Sequence, residues 1–85
     1  MVQTIFECNA PQAESVYLTG SFNGWSLDES YRMKNEDSQW VLRLPLKTGV
    51  HSYRFIIDGR WQEDPQNPFR ERNPFGDINS VIEVK

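Results

Sequence analysis

The stretch Ser52-Tyr53-Arg54-Phe55-Ile56-Ile57-Asp58-Gly59-Arg60-Trp61 is typical of a β-hairpin. Asp-Gly is a preferred pair for a two-residue type I′ turn, because both central residues of that turn need a positive φ. With this turn, Ile57 pairs with Arg60 and Ile56 pairs with Trp61. The sequence therefore predicts two antiparallel strands in a defined register.

Alternation along this hairpin predicts which side chains face the core. Successive side chains of a strand point to opposite faces, so Tyr53, Phe55 and Ile57 are expected inside. Residues directly opposite each other share a face, which places Trp61 on the outer face with Arg54, where we expect the guanidinium to be exposed. A large ring beside a cation is a candidate binding platform. The alternative is that Trp61 packs under the proline-rich loop that follows it.

Short stretches with period-two alternation recur along the rest of the chain, and none shows a sustained helical stripe. The predicted strands are residues 2–8, 15–22, 31–34, 39–46, 50–58, 60–63 and 79–85. Seven short strands in 85 residues predict an all-β, immunoglobulin-like sandwich. One long segment, residues 64–76, is predicted to be irregular, because its three prolines exclude a central strand there.

Length and composition indicate one small soluble domain covering residues 1–85. Twelve acidic against nine basic residues give a net charge of −3, whereas proteins that bind nucleic acid or anionic membranes usually present a basic surface. We therefore expect neither as a partner. Cys8 is the only cysteine, which excludes an internal disulfide, and no export or membrane-spanning segment is visible. These features predict a cytoplasmic location.

Aromatic residues make up 13% of the chain, which is more large rings than we expect so small a core to bury. Surplus rings indicate a binding surface. Trp40 alternates with Leu42 and Leu44, so we expect it in the core. Trp25 follows Ser21-Phe22-Asn23-Gly24 at the exit of a strand, where burial and exposure are equal alternatives.

No arrangement typical of an enzyme is visible in the sequence. Nucleophilic catalysis needs a base beside a serine or cysteine, yet the only histidine, His51, opens a strand with no such partner near it. The five glycines are isolated, which argues against a glycine-rich phosphate loop. The acidic residues between positions 58 and 77 lack the ligand spacing of a calcium loop. We expect no catalytic residues, no metal and no cofactor.

Ordered motifs over nearly the whole chain resemble one carbohydrate-binding family. The matching stretches are Ala10-Pro11, Val16-Tyr17-Leu18-Thr19-Gly20-Ser21-Phe22-Asn23-Gly24-Trp25, Trp40 with Leu42 and Leu44-Pro45, Tyr53 through Trp61, Asp64-Pro65 and Asn79-Ser80-Val81-Ile82. They resemble the glycogen-binding domains of carbohydrate-binding module family 48. That family includes the glycogen-binding domain of the AMP-activated protein kinase β subunit and the N-terminal domains of isoamylases and branching enzymes. Asp-Pro-Gln-Asn-Pro and Asn-Pro-Phe-Gly are closer to its bacterial members.

The resemblance implies an early-set β-sandwich that binds α-1,4-linked glucan, such as glycogen, starch, maltooligosaccharides or cyclodextrin, without cleaving it. It implies that Trp25 and Trp61 stack on sugar rings, that Arg54 and Asn79 bond to sugar hydroxyls, and that Phe75 cups the glucan. A pyranose has an apolar face and a rim of hydroxyls, which suits flat rings flanked by polar groups. Arg54 replaces a lysine and Phe75 an aliphatic residue of the kinase subunit. A hydroxyl residue of that subunit corresponds to Asp77, which leaves a sugar contact at this position open.

A second interpretation keeps the fold and changes the partner. The outer rings would then dock another domain of a kinase or glucan-metabolising enzyme, and a catalytic domain or kinase subunit would be the partner. Docking predicts that another protein buries Trp25 and Trp61. Sugar binding instead requires both rings to be exposed on one surface.

Overall fold

The computed structural model describes residues 1–85, which form an all-β fold with antiparallel strand pairing throughout. The strands are β1 (Val2–Asn9), β2 (Val16–Gly20), β3 (Lys34–Glu36), β4 (Gln39–Leu46), β5 (Gly49–Ile57), β6 (Arg60–Gln62), β7 (Arg70–Arg72) and β8 (Ile78–Val84). Two short 3₁₀ helices, Ser21–Asn23 and Glu29–Tyr31, lie between β2 and β3. Neither has the length and apolar character that a membrane-crossing helix requires.

The strands are arranged in two sheets that pack against each other. One sheet has the order β1-β4-β3, and the other has the order β2-β5-β8-β7, with β6 also paired to β5. Phe6 of β1 meets Tyr53 of β5 between the sheets, with ring centroids 5.0 Å apart. Leu18 and Phe55 are completely buried in the same core. The predicted all-β sandwich is therefore confirmed.

Alternation determines which side chains of the three-stranded sheet enter this core. Along β1, Thr4, Phe6 and Cys8 are buried while the residues between them are exposed, as expected for a strand with one face in water. Trp40 of β4 is also buried, and its indole Nε1–H donates to the backbone oxygen of Ala10 at 2.9 Å. The prediction that Trp40 lies in the core is confirmed.

The strand predicted at residues 31–34 is wrong in position. Asp28 caps a 3₁₀ turn in its place, because its Oδ1 accepts hydrogen bonds from the backbone N–H and the hydroxyl of Ser30. The strand β3 begins only at Lys34. The predicted strand at 15–22 is likewise shortened to β2, since the chain turns into the first 3₁₀ helix at Ser21. Local side-chain bonds to the backbone therefore prevail over strand propensity here.

The proline-rich segment, residues 64–76, is not wholly irregular as predicted. It contains β7, in which Arg70 lies opposite Ser80 and Arg72 lies opposite Ile78 at the edge of the five-stranded sheet. The prolines lie outside β7, so the exclusion of a central strand from this segment holds. The pairing depends on a contact with β8, which the alternation within the segment does not encode.

A buried polar network fixes the start of this segment. Tyr53 donates its hydroxyl hydrogen to Asp64 Oδ2 at 2.7 Å, and the Asp64 backbone N–H donates to Ser80 Oγ at 2.7 Å. Asn67 Nδ2 donates to the Tyr53 hydroxyl oxygen and to the backbone oxygen of Val81. Burial raises the pKa of Tyr53 far above its usual value, so the phenol stays a hydrogen-bond donor. The network ties residues 64–67 to both β5 and β8.

Candidate functional site

The hairpin between β5 and β6 places Trp61 on the outer face of the five-stranded sheet. Asp58 and Gly59 both have positive φ, 49° and 83°, as a type I′ turn requires. Asp58 Oδ1 also accepts hydrogen bonds from the backbone N–H groups of residues 14 and 15, which anchors the turn. Ile56 lies opposite Trp61 as predicted, and the indole is 45% exposed. The proline-rich loop therefore does not bury Trp61.

Trp25 is presented by the turn that follows β2. Its backbone N–H donates to the Gly20 oxygen at 3.0 Å, and Asn23 Oδ1 accepts from the Gly20 N–H at 3.0 Å. This turn holds Trp25 at φ 60°, a left-handed conformation that a bulky residue rarely adopts. The sequence left burial and exposure open, and the structure makes the side chain half-buried. An uncommon backbone conformation at a large ring makes Trp25 a candidate functional position.

Arg54 and Asn79 form the polar floor of the site. The guanidinium Nε of Arg54 donates to Asn79 Oδ1 and to the Ile78 backbone oxygen, each at 3.0 Å. The prediction of an exposed Arg54 is wrong in part: the side chain does lie on the outer face, but only 15% of it is exposed, because these contacts hold it against β8. Asn79 is buried, and its Nδ2 has no partner in the chain. Since no side-chain nitrogen or oxygen is fully buried without a hydrogen bond, that Nδ2 keeps some contact with solvent.

The tip of the proline-rich segment presents Phe75. Asn73 Oδ1 accepts hydrogen bonds from the backbone N–H groups of Phe75 and Asp77, at 2.9 and 3.0 Å. The Asn73 N–H donates back to the Asp77 oxygen at 2.8 Å, which closes the loop. Gly76 adopts a φ of 90° within it. Phe75 is 90% exposed at this tip, so its ring is accessible from solvent.

All five residues predicted for the site line one open cavity of about 350 Å³. Its lining is Trp25, Arg54, Trp61, Asn73, Pro74, Phe75, Asp77 and Asn79. Sequence reasoning missed Asn73 and Pro74, although an Asn-Pro pair is a signal for a turn. It also left Asp77 open, and the structure places Asp77 Oδ2 3.8 Å from a terminal nitrogen of Arg54.

The chemistry of this cavity is that of a binding surface. Flat rings, an arginine, amides and a carboxylate line it, so it offers apolar faces together with hydrogen-bond donors and acceptors. No group of three or more His, Cys, Asp or Glu side chains in the molecule is arranged to hold a metal ion. The two large upward pKa shifts, on Cys8 and Tyr53, belong to buried groups that do not line the cavity. The arrangement can stack on apolar faces and bond to hydroxyls.

Comparison with known proteins identifies the family. Residues 2–85 match the model of the glycogen recognition site of AMP-activated protein kinase. The chain belongs to this family. It is 40% identical over 72 residues to the 5′-AMP-activated protein kinase subunit beta-1 of Rattus norvegicus and to that of Sus scrofa. The matched stretch is 85% of this chain, but only 25% of the rat protein and 56% of the pig protein.

A solved structure shows the same architecture. The maltogenic amylase from S. marinus superimposes with a TM-score of 0.76 and 26% sequence identity. The match covers 95% of this chain and 13% of the amylase chain. Regions similar to this chain therefore occur within longer proteins, a protein kinase subunit and an amylase.

Proposed function

We propose that this chain is a non-catalytic module that binds α-1,4-linked glucan in the cavity lined by Trp25, Arg54, Trp61, Phe75 and Asn79. The observation that carries the proposal is that these five side chains, from four separate parts of the chain, line one open cavity. Membership of a glycogen recognition family supports the same ligand class. In this proposal the module itself has no catalytic residues, metal or cofactor.

In this mechanism, aromatic rings contact the apolar faces of the sugar and polar side chains bond to its hydroxyls. Indole faces of Trp25 and Trp61 cover the C–H faces of glucose units, while Phe75 closes over the chain from the loop tip. The terminal nitrogens of Arg54 and Nδ2 of Asn79 donate to hydroxyls at the rim of the ring. A shallow cavity of about 350 Å³ holds part of an oligosaccharide, so we expect a dissociation constant of about 1 μM to 1 mM for short chains.

The module would act together with another protein domain or subunit. A catalytic domain or a kinase subunit is the protein partner that it would hold on the polymer, as the related proteins include a kinase subunit and an amylase. Glycogen has many chain ends, so several tethered modules would bind it far more tightly than one module binds an oligosaccharide. A cytoplasmic location remains a prediction.

Titration calorimetry with maltoheptaose tests this function. Trp61→Ala removes a stacking face and is expected to abolish measurable binding. Because more than half of Trp61 packs against the protein, Trp61→Leu is the matched variant: it keeps apolar cover over Ile56 but has no flat face. Ile5→Ala is the surface control, since Ile5 is 54% exposed on the other sheet. Binding that survives in Trp61→Leu would refute the stacking role.

The protein-docking interpretation makes a different prediction in the same experiment. If Trp25 and Trp61 serve to dock another protein, the wild-type chain does not bind maltoheptaose or β-cyclodextrin at millimolar concentrations. Fluorescence of the exposed tryptophans gives an independent readout, because a sugar that covers an indole removes it from water. An unchanged spectrum at saturating sugar would contradict glucan binding at this cavity.

A further inference from the structure

A second cavity lies at the other end of the same sheet. It has a volume of about 710 Å³, and its apolar walls include Val50, Pro68, Phe69 and Val81. Phe69 is 70% exposed and Val50 is 65% exposed, so the core does not account for either side chain. Large exposed apolar groups around a concave surface are typical of a binding region.

Strand register shows that this cavity opens on the face that carries the proposed sugar site. The Val81 N–H donates to the Phe69 backbone oxygen at 3.0 Å, so Phe69 continues β7 opposite Val81. Val81 is in turn opposite Ser52, the neighbour of inward-facing Tyr53, and therefore points outward. Since opposite residues share a face, the Phe69 ring stands on the outer face together with Trp61.

The separation of the two rings also follows from the register. Trp61 is level with Ile56 and Phe69 is level with Ser52, four positions away along β5. At about 3.3 Å per residue, and with one strand spacing of about 4.8 Å between columns, their backbones are roughly 14 Å apart. A glucan chain of several units spans such a distance, whereas a very short oligosaccharide seated at Trp61 does not.

Polar side chains occupy the outer face between the two rings. Arg54 and Asn79 come first, and Glu71 lies opposite Asn79 on β7. Ser52 then donates its hydroxyl hydrogen to Glu71 Oε2, so both groups face outward between the cavities. Carboxylate and hydroxyl oxygens accept hydrogen bonds from sugar hydroxyls. Along the outer face, the Trp61 ring is therefore followed by polar side chains and then by the Phe69 ring.

We propose that Phe69 is a second sugar contact, at which a linear α-glucan chain that leaves the Trp25–Trp61 cavity is bound after it crosses Arg54, Ser52 and Glu71. This inference rests on the proposed function and extends it to chain length, because only a chain long enough to reach both rings gains the second contact. The hydrogen-bonding groups of Arg54, Ser52 and Glu71 between the two rings favour glucan over an apolar protein segment as the occupant. The polar groups Gln66, Glu83 and Lys85 at its rim suit hydroxyls as well.

The test compares short and long linear sugars by calorimetry. Phe69→Ala is expected to weaken maltoheptaose about 2- to 10-fold, the range of one aromatic contact, and to leave maltotriose unchanged. Phe69→Tyr keeps a flat ring and is expected to bind both sugars like the wild type. Leu27→Ala is the matched control, since Leu27 is 63% exposed and lines neither cavity. A longer chain can bind in more positions than a short one, which raises its affinity by itself. Each variant is therefore compared with the wild type on the same sugar, so that this advantage cancels.

Each other result overturns the second contact. Equal loss for both sugars in Phe69→Ala would mean that Phe69 acts through the loop that carries Phe75. No loss for either sugar would leave the proposed function intact, provided that Trp61→Leu abolishes binding. Failure of the wild type to bind any oligosaccharide would refute the proposed function itself. A sedimentation experiment in which wild-type dimers dissociate in Phe69→Ala, with glucan affinity unchanged, would identify a second copy as the occupant.

Discussion

Removal of the Arg54 guanidinium tests the polar half of the site. Its Nε bonds to Asn79 Oδ1 and to the Ile78 oxygen at 3.0 Å each, which leaves for the sugar the two terminal nitrogens, one of them 3.8 Å from Asp77 Oδ2. A hydrogen bond to a charged group contributes about 1.5–3 kcal/mol when its partner is well placed. For an open cavity we expect Arg54→Ala to weaken maltoheptaose binding by about 1–2 kcal/mol, which is about 5- to 30-fold.

Arg54→Lys distinguishes a simple donor from a positioning residue. Lysine keeps the charge and has three donor hydrogens on a single nitrogen, whereas arginine can bond to Asn79 through Nε and to the sugar through its terminal nitrogens in a fixed geometry. We therefore expect an affinity between those of the wild type and Arg54→Ala. An affinity equal to that of the wild type would mean that the contact with Asn79 does not matter for binding.

The assay is calorimetry with maltoheptaose at low salt and at about 0.5 M salt. The ligand is neutral and releases no counterions, so the affinity should be nearly constant, unlike that of a charged polymer. Arg60→Ala serves as the control, because Arg60 is exposed on the same hairpin and does not line the cavity. Wild-type affinity in Arg54→Ala, or a steep fall of affinity with salt, would refute the hydrogen-bonding mechanism.

Three further predictions concern the core and the loop tip. Trp40→Ala should lower the free energy of unfolding by about 3–5 kcal/mol in urea titrations, because the ring is 6% exposed, and an unchanged midpoint would move Trp40 out of the core. Burial raises the pKa of Cys8 from 9.0 to about 11, with a smaller contribution from Asp64. Alkylation of Cys8 at pH 8 should therefore be at least about 100-fold slower in the folded chain than in urea, and equal rates would contradict the burial. Because folding favours the protonated thiol, the free energy of unfolding should fall as the pH rises above about 9. Asn73→Ala should weaken maltoheptaose about 2- to 10-fold with little change in melting temperature, as it releases the turn that presents Phe75; unchanged affinity would show that the ring needs no fixed tip.

The sequence predicts best what depends on local geometry. Asp58-Gly59 encodes its own turn, so the register of the hairpin and the face of Trp61 follow from two residues and alternation. The segment Arg70–Arg72 has no such signal: its residues are charged and exposed, and it becomes a strand only because β8 supplies a partner. Contacts between distant segments are absent from any local pattern.

The same reason explains why the burial of Arg54 was not predicted. Alternation gives the face on which a side chain lies, and it gave the outer face correctly. How much of that side chain remains in water depends on what crosses over it. Here Asn79 and Ile78 of β8 accept its hydrogen bonds, and Asp77 lies beside it. The sheet face on which a side chain lies can therefore be predicted from the sequence, whereas its solvent-exposed fraction cannot.

Two tryptophans, Trp40 inside the sandwich and Trp61 on its outer face, allow stability and binding to be separated. Trp40 fills the core and bonds to Ala10, so its loss should lower the stability of the domain without removing any sugar contact of the folded form. Trp61 stands on the outer face, where it covers Ile56 but does not enter the core, so its loss should remove binding at a smaller cost in stability. If both substitutions instead lower stability and affinity in proportion, affinity simply follows the folded fraction, and the outer face is not an independent binding surface.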